Sequence, residues 1–243
     1  MSAFPSLEYS LSQVKRAGKI LRAADSSVLA ATEDEVRQAV RVAQNWRRAH
    51  SEAENWAQMG CRQRLRSLGI DGRVTQRLKE LATIRRKLVR EGHRVQLSTM
   101  EDIAGARAVV PDLAALRRLE ARWLQNPSYP IEAHRDRIVD PPPSGYRAVH
   151  FVMRHKDRRV EIQLRTRLQN EWGMLVEELG EASGFALKNG EGPPSVLEYL
   201  AGISDGLASL DERPTRYAHR RSEVLDALTQ ARAEARRLKE GGR

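Results

Sequence analysis

The chain has 243 residues, 40% hydrophobic and 30% charged, a globular balance that excludes a disordered polymer. No window approaches the roughly 18 uninterrupted apolar residues of a membrane span, and the first twenty residues lack the apolar core of a secretory signal. A lone cysteine, Cys61, excludes an internal disulfide or a multi-thiolate metal site, so the expected compartment is the cytoplasm, with no membrane partner. Lys and Arg number 42 against 32 acids, a net charge of +10 that favours polyanionic partners: nucleotides, nucleic acid or acidic proteins.

Residues 1–70 read as helical. Thr32-Glu33-Asp34-Glu35 has the form of a capping box, and Val36, Ala39, Val40 and Ala43 follow at helical spacing up to Trp46. A second helix is expected after Gly72, with Val74, Leu78, Leu81, Ile84 and Leu88 as its buried stripe and Gly92 as its end. The apolar, β-branched run Ile103–Val110, closed by Pro111, reads as a buried strand. Leu113, Leu116, Leu119 and Trp123 mark the next helix, and residues 126–130 and 140–145 are Pro-rich loops.

Alternation then takes over. Residues 148–153 read as a strand buried on both faces, and Lys156-Asp157 as a turn. In the strand 160–165, Val160, Ile162 and Leu164 share one face while Glu161, Gln163 and Arg165 share the other. Leu168, Trp172, Leu175, Val176 and Leu179 give a helix, residues 190–194 a linker, and residues 195–210 and 215–240 two final helices. The Arg-rich last segment carries a thin stripe of Val224, Leu225, Leu228 and Leu238. The order predicts an α/β (α+β) fold: a helical extension at 1–70, a sheet core at 71–185 and a helical extension at 186–243.

Chemistry-bearing residues collect in this core. Asp102 opens the first strand, Arg107 lies five residues on, and Tyr146 and His150, four apart on a strand, are expected to share one face; with the polar strand face they make a candidate metal–phosphate cleft. Lys79, Thr83 and Lys87, at i, i+4 and i+8, place two ammonium groups about a hydroxyl, an arrangement suited to polyphosphate; a solvated basic helix face is the alternative. Arg77 leaves that face if the helix is continuous. No G-x-x-x-x-G-K-[ST] and no G-x-G-x-x-G is present, and no histidine precedes an aspartate.

Five segments resemble the synthetase domain of RelA/SpoT proteins in its short stand-alone form. They are Asn45–Ser51; Arg77-Leu78-Lys79 with Thr83 and Lys87; Asp102–Arg107; Ser144–His150; and Val160–Thr166, followed by Trp172. The resemblance covers about residues 35–185 and implies a nucleotidyltransferase-like mixed sheet flanked by helices. It implies an ATP-dependent pyrophosphokinase that moves the β,γ-pyrophosphate of ATP to a ribose 3′-hydroxyl. By position it assigns Arg77, Lys79, Thr83 and Lys87 to the ATP phosphates, Arg107 and Arg135 to adenine, and Asp102 and Glu161 to Mg²⁺. Glu161 would bind that metal or act as base on the 3′-hydroxyl, oriented by Gln163 and Arg165. Tyr146, His150, Ser144 and Arg147 would hold the acceptor.

Pro142 stands where guanine-nucleotide synthetases usually have a lysine, Arg137 where they have a tyrosine, and Glu177-Glu178 where Glu-His is frequent. Acceptor identity therefore stays open between GDP or GTP, giving (p)ppGpp-type alarmones, and the 3′ end of tRNA in a toxic relative restrained by an antitoxin. A non-catalytic nucleotide or RNA binder is the third alternative. A homo-oligomer is compatible with each.

Overall fold

Strand 158–166 is the spine of the sheet. The computed structural model describes residues 4–23, 31–125 and 130–241. Five strands, β1 (Arg73–Leu78), β2 (Ala104–Val110), β3 (Ile131–Asp136), β4 (Val149–His155) and β5 (Arg158–Thr166), form one mixed sheet in the order β1-β2-β5-β4-β3. Only β2 and β5 run parallel. The helices are α1 (Leu11–Ala23), α2 (Glu33–Arg48), α3 (Ser51–Leu68), α4 (Leu81–Glu91), α5 (Leu113–Gln125), α6 (Arg167–Ser183), α7 (Pro194–Glu212) and α8 (Ala218–Gly241). The expected mixed sheet flanked by helices is the fold observed.

The alternation decides which face is which. Ala104, Ala106 and Ala108 of β2, Phe151 and Met153 of β4, and Val160, Ile162 and Leu164 of β5 are buried against α3 and α5. There Ala53, Ala57, Cys61, Leu116, Leu119 and Trp123 complete the core. Each large apolar side chain withdrawn in this way contributes about 1.5–3 kcal/mol before entropy is counted. The odd-numbered residues of β2 and β5 are thereby forced onto the opposite face. A second core joins α1, α2 and α4 through Val14, Leu21, Trp46, Ile84 and Leu88, and a third joins α6, α7 and α8 through Trp172, Val176, Leu207 and Leu228.

Local signals hold where they are specific. Thr32 and Glu35 form the reciprocal capping box of α2, and Thr166 with Gln169 forms another at α6. Two expectations are corrected. Residues 73–78 are a strand, not the first turns of a helix; Val74 and Leu78, four apart, share a face in either conformation, and antiparallel pairing with β2 selects the strand. The helix therefore begins at Leu81, which leaves Arg77 on β1 and Lys79 in the connection. Strand β3 lies in a stretch not read as an element, because Ile131 and Ala133 are its only apolar residues, too few for a clear alternation; its pairing with β4 is irregular between them. The loop expected at 126–130 lies, apart from Pro130, outside the described residues, as does the side chain of Leu238.

Candidate active site

The register carries a row of polar residues across one face. Arg107 of β2 stands opposite Gln163 of β5, Gln163 opposite His150 of β4, and His150 opposite Arg135 of β3. One step along, Arg77 of β1 opposes Gly105, and Gly105 opposes Glu161. Helix α6 crosses in front of this face, and between them lies a cleft of about 570 Å³. Arg77, Asp102, Arg107, Glu161 and Gln163 line its sheet side; Met174, Glu177, Glu178 and Glu181 of α6 and Arg236 of α8 line the other. Asp102 and Glu161, from different segments, open onto the same space.

Asp102 precedes β2 and receives two cations. Lys79 Nζ donates to its Oδ2 at 2.8 Å and Lys87 Nζ to its Oδ1 at 2.9 Å. The Lys79 side chain is only 8% exposed. Burial alone would raise the Asp102 pKa, but the two ammonium groups outweigh it and hold the carboxyl below its usual range. Thr83 is one turn from Lys87 on α4 and accepts from Arg86 at 3.2 Å.

Glu161 closes a ring of hydrogen bonds. His150 Nδ1 donates to Glu161 Oε1 at 2.8 Å, and Gln163 Nε2 to Glu161 Oε2 at 2.5 Å. Arg165 Nη2 donates to Gln163 Oε1 at 2.8 Å and to the Tyr146 hydroxyl at 2.7 Å. The Tyr146 hydroxyl lies 2.9 Å from His150 Nε2. Since a carboxylate only accepts, His150 Nδ1 carries the proton that faces Glu161. The bonds from His150 and Gln163 both end on Glu161. Burial would raise its carboxyl, yet the bonds from His150 and Gln163, with the Lys188 charge beyond, pull it well below the ordinary carboxylate range.

Arg165 is fully buried. It fits because position 173 is glycine: a Cβ there would stand 3.0 Å from Arg165 Nη1. Arg107 keeps its charge at neutral pH, although burial and the neighbouring Arg165 lower its pKa to about 10. Four cations, Arg77, Arg107, Arg165 and Lys188, act together on Glu177 of α6 and hold its carboxyl down against the effect of its burial.

The acceptor-side candidates divide. Tyr146 and His150 meet, although Tyr146 lies in the loop before β4 rather than on a strand. Tyr146 is 5% exposed, with Arg165 and Lys188 each about 5.0 Å from its ring centroid, and like Arg165 and Lys188 it lies behind the residues that line the cleft. Ser144 is buried and donates to the Lys188 carbonyl at 3.1 Å. Arg147 turns away to Asp205 of α7 at 2.6 Å. Arg135, on β3, is gripped by both carboxylate oxygens of Glu101 at 2.9 and 3.2 Å and is not among the cleft-lining residues. Sequence reading missed Lys188 and gave Glu177 no role. Glu177 falls on the α6 face four residues beyond Gly173, a spacing that could have marked it; Lys188 sits in a turn with no periodic signal.

The cleft thus joins an ion-paired aspartate, a hydrogen-bonded glutamate and several cations on one face of a mixed sheet. Residues 76–183 match the model of the region found in RelA/SpoT proteins, so the chain carries a RelA/SpoT region, as the sequence segments indicated. It is 28% identical over 177 residues to the GTP pyrophosphokinase YjbM of Bacillus subtilis, covering 69% of this chain and 78% of that protein. It is 34% identical over 155 residues to an uncharacterised protein of Mycobacterium tuberculosis, and the match spans 60% of this chain but only 56% of that relative's length. Among solved structures it resembles small alarmone synthetase 1 from Bacillus subtilis bound to its product pppGpp. That likeness has a TM-score of 0.57 and 26% identity, and it covers 77% of this chain and 98% of the other.

Proposed function

We propose that this chain is an ATP-dependent pyrophosphokinase that transfers the β,γ-pyrophosphoryl group of ATP to the ribose 3′-hydroxyl of GDP or GTP, releasing AMP. The observation that carries the reading is the cleft onto which Asp102 and Glu161 both open, with Arg77 and Arg107 lining it and Lys79 and Lys87 paired with Asp102 at its edge. The names of the pyrophosphokinase and alarmone-synthetase relatives support it.

Transfer of a phosphoryl unit needs alignment and neutralisation of charge more than covalent help. Lys79 and Lys87, clamped on Asp102, and Arg77 and Arg107 on the sheet supply cations for a triphosphate. Glu161 faces the acceptor hydroxyl as proton acceptor, and His150 and Gln163 fix both of its oxygens so that it cannot turn away. Tyr146 and Arg165 close the ring behind them.

The two carboxylates suit Mg²⁺, which takes oxygen ligands and is commonly held by one or two carboxylates plus substrate phosphates. Among the described residues no group of three or more His, Cys, Asp or Glu forms a cage of its own. Asp102 and Glu161 would hold the ion, which would neutralise phosphate charge and acidify the hydroxyl, offsetting the weak basicity of so low a carboxyl.

Transfer to the 3′ end of tRNA is the second reading, favoured by the +10 charge and by nine Lys/Arg against four Asp/Glu in residues 213–243. Incubation with γ-labelled ATP and GDP, GTP or tRNA separates the two. Label is expected on the guanine nucleotide; label on tRNA alone selects the second reading, and label on neither refutes transfer.

A further inference from the structure

Lys188 is a cation that its surroundings do not favour. It sits in the short turn Leu187–Asn189 that follows α6, between Gly184 and Gly190, both at positive φ (78° and 82°). The turn is anchored: Leu187 is buried in the α6–α7 core, and Ser144 donates to the Lys188 carbonyl, tying the loop before β4 to this point. The side chain is three-quarters buried and lies over the Tyr146 ring.

Among the described residues its ion-pair partner is Glu177, 3.5 Å away, beyond the roughly 2.7–2.9 Å of a strong charge-assisted bond. Arg165, Arg107 and Arg77 all repel it. Burial, reinforced by these cations, pushes its pKa down to about 7, so the Glu177 attraction is outweighed. Arg165 stands in a matching condition. It is fully buried, its Nη2 is committed to Tyr146 and Gln163, and its Nε and Nη1 have no hydrogen-bond partner among the described residues. Like charges gathered about one loosely held acid are costly for the folded chain alone, and an entering anion relieves that cost.

Position says which anion. The donor-side cations Lys79 and Lys87 are clamped on Asp102, whereas Lys188 lies over Tyr146, which bonds His150, the partner of Glu161. Lys188 thus stands behind the Glu161 side of the cleft, and its charge acts on Glu161 itself. We propose that Lys188, backed by Arg165, is the subsite for the phosphate of the acceptor nucleotide, and that Glu177 holds the ammonium until that phosphate displaces it. This rests on the pyrophosphokinase reading and names a cation for the acceptor that the loop at Pro142 does not supply.

The test is equilibrium binding by calorimetry, which needs no turnover and so stands apart from whether transfer occurs. GDP, guanosine and a non-hydrolysable ATP analogue are titrated separately into the wild type, Lys188→Met, Glu177→Gln and the double variant. Lys188→Met is expected to weaken GDP at least tenfold while leaving guanosine and the ATP analogue within twofold. Glu177→Gln is expected to tighten GDP severalfold, and the double variant to lose that gain. A purely structural role for the pair would not give effects of opposite sign. GDP affinity unchanged in Lys188→Met, equal losses for GDP and guanosine, weakening of the ATP analogue instead, or no GDP binding by the wild type each overturns the proposal.

Discussion

Replacing Glu161 with glutamine separates its chemical role from its structural one. The side chain is 16% exposed and both of its oxygens accept hydrogen bonds, so the amide keeps the shape but offers one acceptor where the carboxylate offered two. Loss of a charge-assisted bond costs about 1.5–3 kcal/mol, and removing a buried charge returns desolvation energy of comparable size. The net change in stability is therefore expected within about 2 kcal/mol, a Tm shift below about 8 °C for a chain of this length. Removing a positioned proton acceptor, by contrast, costs about 10²–10⁴-fold in rate. Labelled-ATP transfer and thermal melting on the same preparation should show a collapse of turnover with a nearly unmoved melt. Turnover within tenfold of the wild type, on a folded variant, would remove Glu161 from the reaction.

Asp102→Asn should lower transfer at least 100-fold, yet the affinity for an ATP analogue without Mg²⁺ should hold or rise, because Lys79 and Lys87 are released; calorimetry with and without the ion checks both halves. Lys188 supplies a pH signature. Its folded pKa of about 7 lies below the unfolded value of about 10.4, so the unfolded chain binds more protons between those limits. The wild type should thus gain stability relative to Lys188→Met as pH rises from 7 to 10, which urea unfolding at both pH values tests. Arg221→Ala should cost about 3–5 kcal/mol by leaving the buried Asp211 with Thr166 but no cation, since Arg221 bonds it at 2.7 Å while also holding the Pro111 carbonyl; a melt lowered by under 3 °C would contradict this. Cys61, buried and pushed up to about 12, should resist alkylation at pH 8 until the chain unfolds.

The part of the site built on strict alternation was legible in the sequence. Glu161, Gln163 and Arg165 could be assigned to one face because Val160, Ile162 and Leu164 had to take the other. The Asp102 cluster was half legible. Lys79 and Lys87 do converge, through a shared carboxylate rather than along one helix, because β1 occupies the residues that the helical pattern claimed. What alternation could not reveal was the far wall. Arg165 is seated by the absent side chain of Gly173, Tyr146 is covered by Lys188, and Arg135 and Arg147 are drawn to Glu101 and Asp205 by contacts between segments distant in the chain. Such contacts are set by tertiary packing, and no local spacing encodes them.

The adenine product is the most direct measure of what the cleft does. With ATP, Mg²⁺ and GDP supplied, pyrophosphoryl transfer should release AMP mole for mole with a guanine nucleotide that has gained two phosphates. ADP appearing in place of AMP, as simple phosphoryl transfer or hydrolysis would give, contradicts the account.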